Sequence, residues 1–318
     1  MKKILIVGAG AVGTSFVYSL IHKGLVEEIV LYDIDEKKAK GEALDLAHGI
    51  YFTKPVEIRA GGLEEAKDSD IVVITAGAKQ RPGETRLQLL DRNIGIYKEL
   101  VPEIVKNGFK GIFLVVTNPV DVLTYFTYTF SGFPRNRVIG SGTVLDSSRF
   151  AYLLSKHCNV DPRSVNAYVI GEHGDTAVLA WSLTHIGGIS ISEFCPVCGR
   201  KCFEEDVKRT IIKEVRDSAY KIIEYKGATY YAIGLALVNI VEAIVRDENR
   251  ILPVSTVHPQ IFEFEDVPLS LPSIVGRDGV KKILRINLTE EEEKELYNSA
   301  KFIKESIDSF SSLSLSSR

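Results

Sequence analysis

Ile4-Leu5-Ile6-Val7-Gly8-Ala9-Gly10-Ala11-Val12-Gly13 is the stretch that decides the fold. Its four leading apolar residues, three of them β-branched, read as a strand buried on both faces. The glycines then allow a tight turn, a close approach by a ligand, and close packing of the next helix on the strand. A helical pattern follows to about His22, and a second apolar strand, Ile29-Val30-Leu31-Tyr32, ends on Asp33, 20 residues past Gly13. Strand, glycine-rich turn, helix, strand, acid makes a βαβ unit. A bare glycine pattern would also suit a flexible loop, but these flanks make that the poorer account.

Such a unit presents amide donors and the positive end of a helix dipole to phosphate groups. Gly8, Gly10, Val12 and Gly13 therefore form the candidate cradle for a dinucleotide, and Asp33 would accept hydrogen bonds from the adenosine ribose. A carboxylate repels a 2′-phosphate and the next residue is Ile34, not arginine, so NAD is preferred over NADP.

Outward from this unit, apolar strands recur at Val56–Arg59, Ile71–Thr75, Ile112–Val116 and Val138–Ile139. Helical segments, notably Leu87–Lys106 and Val120–Phe130, lie between them. Alternation of this kind implies a parallel sheet covered on both faces, with ligands beyond the C-terminal ends of its strands. The loops at those ends, including Gly77 and Thr117-Asn118-Pro119, should gather around one cofactor. After residue 143 the pattern changes. A helix near Asp146–Cys158 and a strand ending at Ile170 precede a helical stretch from Glu204 to Val245, with Gly227 and Gly234 as expected breaks. Antiparallel strands at Ile251–Val257 and Leu269–Val275 follow, then a closing helix over Glu290–Ser309 and a frayed Ser-rich tail from Ser311. The expected class is α/β: an N-terminal Rossmann parallel-sheet domain, residues 1–143, and a C-terminal α+β catalytic domain, residues 144–318.

Composition narrows the function classes. Apolar residues make up 45% and charged residues 25% of the 318-residue chain, the balance of a globular protein. A net charge of −3 with no basic block argues against nucleic acid as the main partner. The apolar start imitates a signal peptide, but glycines interrupt it, and no run reaches about 20 apolar residues, so no membrane partner and a cytoplasmic location are expected.

Three stretches carry candidate chemistry. Ile170-Gly171-Glu172-His173-Gly174-Asp175 delivers a histidine from a strand end into a tight turn, a position suited to proton transfer near neutral pH. Leu145-Asp146-Ser147-Ser148-Arg149 places an acid and an arginine three apart on one helix face. That spacing is also the spacing of an ordinary surface pair. Ala76-Gly77-Ala78-Lys79-Gln80-Arg81-Pro82-Gly83-Glu84-Thr85-Arg86-Leu87 is a candidate mobile loop, although its basic residues equally suit a solvated cluster.

Taken in order and spacing, six motifs resemble the lactate/malate dehydrogenase family, and within it the bacterial L-lactate dehydrogenases, over nearly the whole chain. They are Gly8 to Gly13, Gly83 to Leu87, Thr117 to Asp121, Gly140 to Asp146, Gly171 to Asp175 and Lys226 to Tyr231. The resemblance implies hydride transfer between NADH and pyruvate, with a malate dehydrogenase or broader 2-hydroxy acid dehydrogenase as the alternative. It makes His173 the proton donor, Asp146 its orienter and Arg149 the fork that grips the substrate carboxylate. Arg86 would polarise the carbonyl, while Asn118, Thr229 and Ile233 would lie beside substrate and nicotinamide. Family members using malate carry an arginine in the mobile loop where this chain has Gln80, so a methyl-ended substrate is expected, although Arg81 stands next door. A homotetramer, or a dimer, is the implied assembly.

The chain also departs from the family pattern. An interface site for fructose 1,6-bisphosphate uses an arginine and a histidine at positions held here by Ala151 and Asn166, so weak or absent activation is expected. Cys195, Cys198 and Cys202 lie in an expected loop, Phe194–Phe203, that offers three soft ligands and no second pair, so no metal is expected. NAD-dependent glycosidases carry a ligand cysteine where Thr117-Asn118-Pro119 stands, and a non-catalytic NAD-binding protein would not need His173, Asp146, Arg149 and Arg86 together.

Overall fold

The computed structural model describes residues 2–78, 83, 85–199 and 204–315, with the backbone alone at Arg86, Cys198 and residues 311–315. The parallel half of the main sheet is built by β1 (Lys3–Val7), β2 (Glu28–Tyr32), β3 (Glu57–Ala60), β4 (Ile71–Ile74), β5 (Ile112–Val115) and β6 (Val138–Gly140). They lie in the order β6-β5-β4-β1-β2-β3, each parallel to its neighbour. β1 and β4 sit at the middle and are completely buried or nearly so, as their apolar runs require.

Helices cover both faces. α1 (Ala11–Lys23) and α2 (Glu36–His48) pack on one face together with the later α8 (Tyr231–Val245), around Phe16, Leu20 and Ile240. α3 (Arg86–Lys106), α4 (Val120–Ser131) and α9 (Glu290–Leu315) cover the other, around Tyr97, Phe113 and Ile303. α3 begins on a capping box, in which Thr85 accepts from the Gln88 amide at 3.2 Å and Gln88 from the Thr85 amide at 2.9 Å.

The strands of the second half extend the same sheet. β10 (Arg250–Ile261) joins β6 antiparallel through the Ser255–Gly140 pair, and β11 (Phe264–Gly276) and β12 (Gly279–Ile283) add beyond it, giving nine strands. A separate three-stranded sheet comprises β7 (Val165–Ile170), β8 (Val178–Ile186) and β9 (Ile189–Ser190). It packs with α5 (Val144–Cys158), α6 (Ile191–Cys198) and α7 (Glu205–Lys226) around Phe150, Trp181 and Val215.

Several expectations need correction. Only Gly227 breaks the long helical stretch, at φ +84°. Gly234 stays inside α8, where a Cβ would lie 3.0 Å from the Ser15 backbone, so it serves helix contact with α1 and not chain breakage. The tail from Ser311 continues α9 to Leu315 before the described residues end. Cys195 lies in α6, not in a loop, and is buried; the Cys198 side chain and Cys202 lie outside the described residues. β8 and β9 had no expectation, because β8 carries Trp181 and His185 among residues of no regular alternation. Among the described residues, no helix is long and apolar enough to cross a membrane, and no group of three or more metal-ligating side chains occurs.

Candidate active site

The glycine-rich turn is held by contacts that leave no choice of residue at two positions. Gly8 has φ +115°, and a Cβ there would stand 2.6 Å from the Ala76 amide nitrogen. A Cβ on Gly13 would stand 2.2 Å from the Gly8 carbonyl oxygen. Thr75 Oγ1 donates to that same oxygen at 2.8 Å and ties the turn to the end of β4. Gly10 is different: nothing lies within 4 Å of its would-be Cβ, and no side chain caps the start of α1. The first amides of that helix have no partner of their own in helix geometry. Open space over unfilled donors fits a pyrophosphate, and it is the observation on which NAD fits this chain. Val12 lies partly buried in the first turn of α1.

Asp33 follows β2. Its Oδ2 accepts from the Ala9 amide at 2.8 Å and its Oδ1 from the Asp35 amide at 3.1 Å, so the acid is fixed beside the turn. Gly77 lies after β4, where a Cβ would come within 2.4 Å of Thr117 Cγ2. The loops after β4 and β5 therefore touch. Asn93 of α3, 1% exposed, bridges them: its Oδ1 accepts from the Ala78 amide at 2.7 Å and its Nδ2 donates to the Asn118 carbonyl at 3.3 Å. Sequence reading missed Asn93, since one asparagine on a helix gives no signal. Asn118 is exposed at the strand end. Ile233 packs partly buried against the same apolar cluster as Val12, and Thr229 lies half-buried in the link between α7 and α8. Gln80 and Arg81 lie outside the described residues, as does the side chain of Arg86, whose backbone opens α3.

The catalytic candidates converge. β7 carries the chain to Gly171 at φ +87°, and the turn presents His173 to α5. His173 Nδ1 meets Asp146 Oδ2 at 2.5 Å, and Arg149 Nη1 donates to Asp146 Oδ1 at 2.7 Å. Their side chains are 22%, 9% and 13% exposed, so the i,i+3 acid–arginine pair is no ordinary surface pair. It is one half of a histidine–carboxylate–guanidinium chain. Burial opposes charge on His173, but the charge and hydrogen bond of Asp146, helped by the charge of Asp121, outweigh it and raise its pKa to about 9. For Asp146, burial is likewise outweighed, by His173 and Arg149, and its pKa falls below the usual carboxylate range.

Asp121, which the sequence offered only as part of a motif, is a third member of this cluster. The second residue of α4 and 2% exposed, it accepts from the His173 backbone amide at 2.7 Å and from Ser255 Oγ at 2.6 Å. Burial pushes its pKa up to about 6. Its partners come from residues 173 and 255, so no local pattern could have announced it.

A dinucleotide cradle and a histidine primed as an acid, in one α/β chain, define a pyridine-nucleotide-dependent dehydrogenase. The NAD-binding domain of the lactate/malate dehydrogenases matches residues 2–140, and their α/β C-terminal domain matches residues 143–313. The chain is 52% identical over 307 residues to L-lactate dehydrogenase 1 of Clostridium acetobutylicum, covering 96% of this chain and 98% of that one. It is 53% identical over 300 residues to the L-lactate dehydrogenase of Thermoanaerobacterium saccharolyticum, covering 94% and 96%. A crystal structure of a lactate dehydrogenase from a Medee basin deep-sea metagenome superposes with a TM-score of 0.94 at 44% identity, covering 98% and 99%. The ligand-bound minor L-lactate dehydrogenase of Enterococcus mundtii gives 0.93 at 42% identity, covering 97% and 98%. The chain belongs to the lactate/malate dehydrogenase family.

Proposed function

We propose that this chain is an NAD-dependent L-lactate dehydrogenase interconverting pyruvate, NADH and a proton with (S)-lactate and NAD⁺. The observation that carries the reading is the largely buried His173–Asp146–Arg149 chain, in the same fold as an intact dinucleotide cradle. When bound, the cofactor supplies or accepts the hydride at its nicotinamide ring. His173 has Nδ1 committed to Asp146, which leaves Nε2–H as the proton that reaches the keto oxygen as hydride arrives at the adjacent carbon. In lactate oxidation the neutral imidazole takes that proton back. Asp146 keeps the imidazolium charged before reduction and fixes the ring's orientation. Arg149 uses the part of its guanidinium not engaged by Asp146 to hold the substrate carboxylate. Arg86 polarises the carbonyl from the loop, and closure of that loop excludes water. Asn118, Thr229 and Ile233 border the substrate and nicotinamide; Gly8, Gly10, Val12, Gly13, Asp33 and Gly77 hold the rest of the dinucleotide.

Pyruvate is favoured over oxaloacetate by the residue type at Gln80. A neutral amide suits a methyl group, whereas a second carboxylate would enter the site without a cationic partner, an uncompensated charge worth several kcal/mol. The relatives named as L-lactate dehydrogenases at about half identity support the same choice. A homotetramer in the cytoplasm completes the reading. In its favour, Tyr18 of α1, Leu44 of α2 and Tyr231 and Leu235 of α8 are 59%, 59%, 68% and 63% exposed, on helices of one face. The deciding experiment follows NADH absorbance with pyruvate, oxaloacetate and longer 2-keto acids in parallel. The expected outcome is a kcat/KM highest for pyruvate; a higher value for oxaloacetate overturns the substrate assignment.

A further inference from the structure

Three successive backbone amides of the catalytic turn donate to three elements remote in sequence. The Gly171 amide donates to the Ser270 carbonyl of β11 at 2.9 Å, and the Glu172 amide to Ser299 Oγ of α9 at 2.7 Å. The His173 amide donates to Asp121 Oδ2 of α4 at 2.7 Å. Ser299 is fully buried, and its hydroxyl also lies 3.2 Å from Thr176 Oγ1, which donates to Glu172 Oε2 at 2.5 Å, so Ser299 spans the turn. Helix and turn meet without spare room: a Cβ on Gly171 would stand 2.7 Å from Ser299 Oγ. The helix that delivers this hydroxyl is itself anchored. Glu292 accepts from the Ser182 amide of β8 through Oε1 and from the Thr289 amide through Oε2, both at 3.0 Å. Leu296, Ala300 and Ile303 pack into the core on either side of Ser299.

We propose that Ser299 is a positioning residue for the catalytic histidine, its hydroxyl fixing the Glu172 amide and through it the approach of His173 to Asp146. The inference deepens the dehydrogenase reading and rests on it. Only Glu172 separates the amide held by Ser299 from His173, whose ring must meet Asp146 Oδ2 at 2.5 Å. With the Ser299 hydroxyl gone, the part-buried Glu172 amide loses its acceptor, and the turn shifts to recover one. Charge–charge attraction between His173 and Asp146 weakens with any such movement. The other charged groups acting on His173 are Arg149 from α5 and Asp121 from α4; neither is held by Ser299, so the change is read mainly through the His173–Asp146 pair.

Full-length Ser299→Ala is the test, with kcat, NADH affinity, thermal midpoint and the His173 ring titration by NMR all measured against the parent chain. The expected result is a kcat about tenfold lower and a His173 pKa lower by about one unit, with NADH affinity within about twofold. Thr176→Ala removes the neighbouring hydroxyl and its bond to Glu172 Oε2 but leaves the Ser299 contact to the Glu172 amide, and should cost less than about threefold in kcat. If Ser299→Ala fails to fold, Ser299→Cys, similar in shape but a weaker acceptor, takes the same measurements. A kcat and a His173 titration both equal to those of the parent, whatever the thermal midpoint does, overturn the proposal. Should the parent chain not oxidise NADH with pyruvate while Ser299→Ala still moves the titration, the activity assignment falls and the coupling stands.

Discussion

The cofactor cradle and the catalytic turn do comparable jobs, each fixing polar groups for a ligand, yet they are built in opposite ways. The cradle is mostly local: β1, the turn, α1 and β2 occupy residues 3 to 32, Asp33 closes back on Ala9, and Thr75 at the end of β4 adds a tie to Gly8. The catalytic turn is assembled from afar, with α4, α5, β10, β11 and α9 each contributing a group within hydrogen-bond reach of residues 171–173 or their partners. A locally built site fails through its own residues. A site built from afar fails wherever one of its supports fails, and it leaves the cradle alone.

The largest effect should separate the two regions outright. His173→Asn removes the proton donor and should lower kcat about 10³- to 10⁴-fold, with NADH binding by fluorescence titration nearly unchanged. If NADH affinity collapsed as well, the two regions would not be independent. Next comes the cradle itself. Gly13→Ala puts a methyl where the Gly8 carbonyl oxygen stands, 2.2 Å from the new carbon, so the turn must open. NADH affinity should fall about 100-fold and stability by roughly 1–3 kcal/mol, while the His173 titration keeps its midpoint.

The acid–base region alone should then answer to pH. Reduction of pyruvate uses the imidazolium, so kcat/KM should be flat at neutral pH and fall above about 9, while lactate oxidation rises over the same range. Asp146→Asn removes the charge that holds the proton and should move both limbs to lower pH by about one to two units. The same titration bears on stability. The folded-state pKa of His173 is raised above the ordinary imidazole value of 6.5, so its contribution is complete below that pH and is lost as pH rises through about 9. Thermal midpoints across pH 6 to 10, compared with those of His173→Asn, isolate that contribution.

The same contrast explains what the sequence made legible. The parallel strands, the turn and Asp33 could be read from residues 4 to 33, because period, glycine spacing and a terminal acid all lie within one βαβ unit. His173, Asp146 and Arg149 could be singled out by type and by family motif, but their 2.5 and 2.7 Å contacts could not. Asp121, Asn93 and Ser299 stayed silent, since a buried acid, amide or hydroxyl owes its meaning to partners 15 to 134 residues away. Gly234 was misread for a related reason: glycine breaks a helix or admits a neighbouring one, and only the presence of α1 beside it decides which.

The smallest effect concerns the face of α5 turned from the active site. Arg149 points to Asp146, whereas Ala151 lies two residues on and is half-buried. Asn166 is exposed on β7 and pairs in register with His185 of β8, whose Nδ1 is 3.1 Å from the Leu183 carbonyl. A sugar bisphosphate brings two phosphates, and strong binding needs paired cationic donors for each. Alanine and asparagine supply none, and a single neighbouring histidine is a weak substitute. Fructose 1,6-bisphosphate titrated at low pyruvate should therefore change the apparent KM by less than about twofold. The double variant Ala151→Arg with Asn166→His should gain a measurable response, since it adds a fork and an imidazole at those positions. A large fall in KM with the parent chain would mean that cations elsewhere on α5 or β8 bind the phosphates. The reacting histidine would then be open to control through the same helix that carries Asp146, a second way in which a site assembled from afar differs from one built in a single unit.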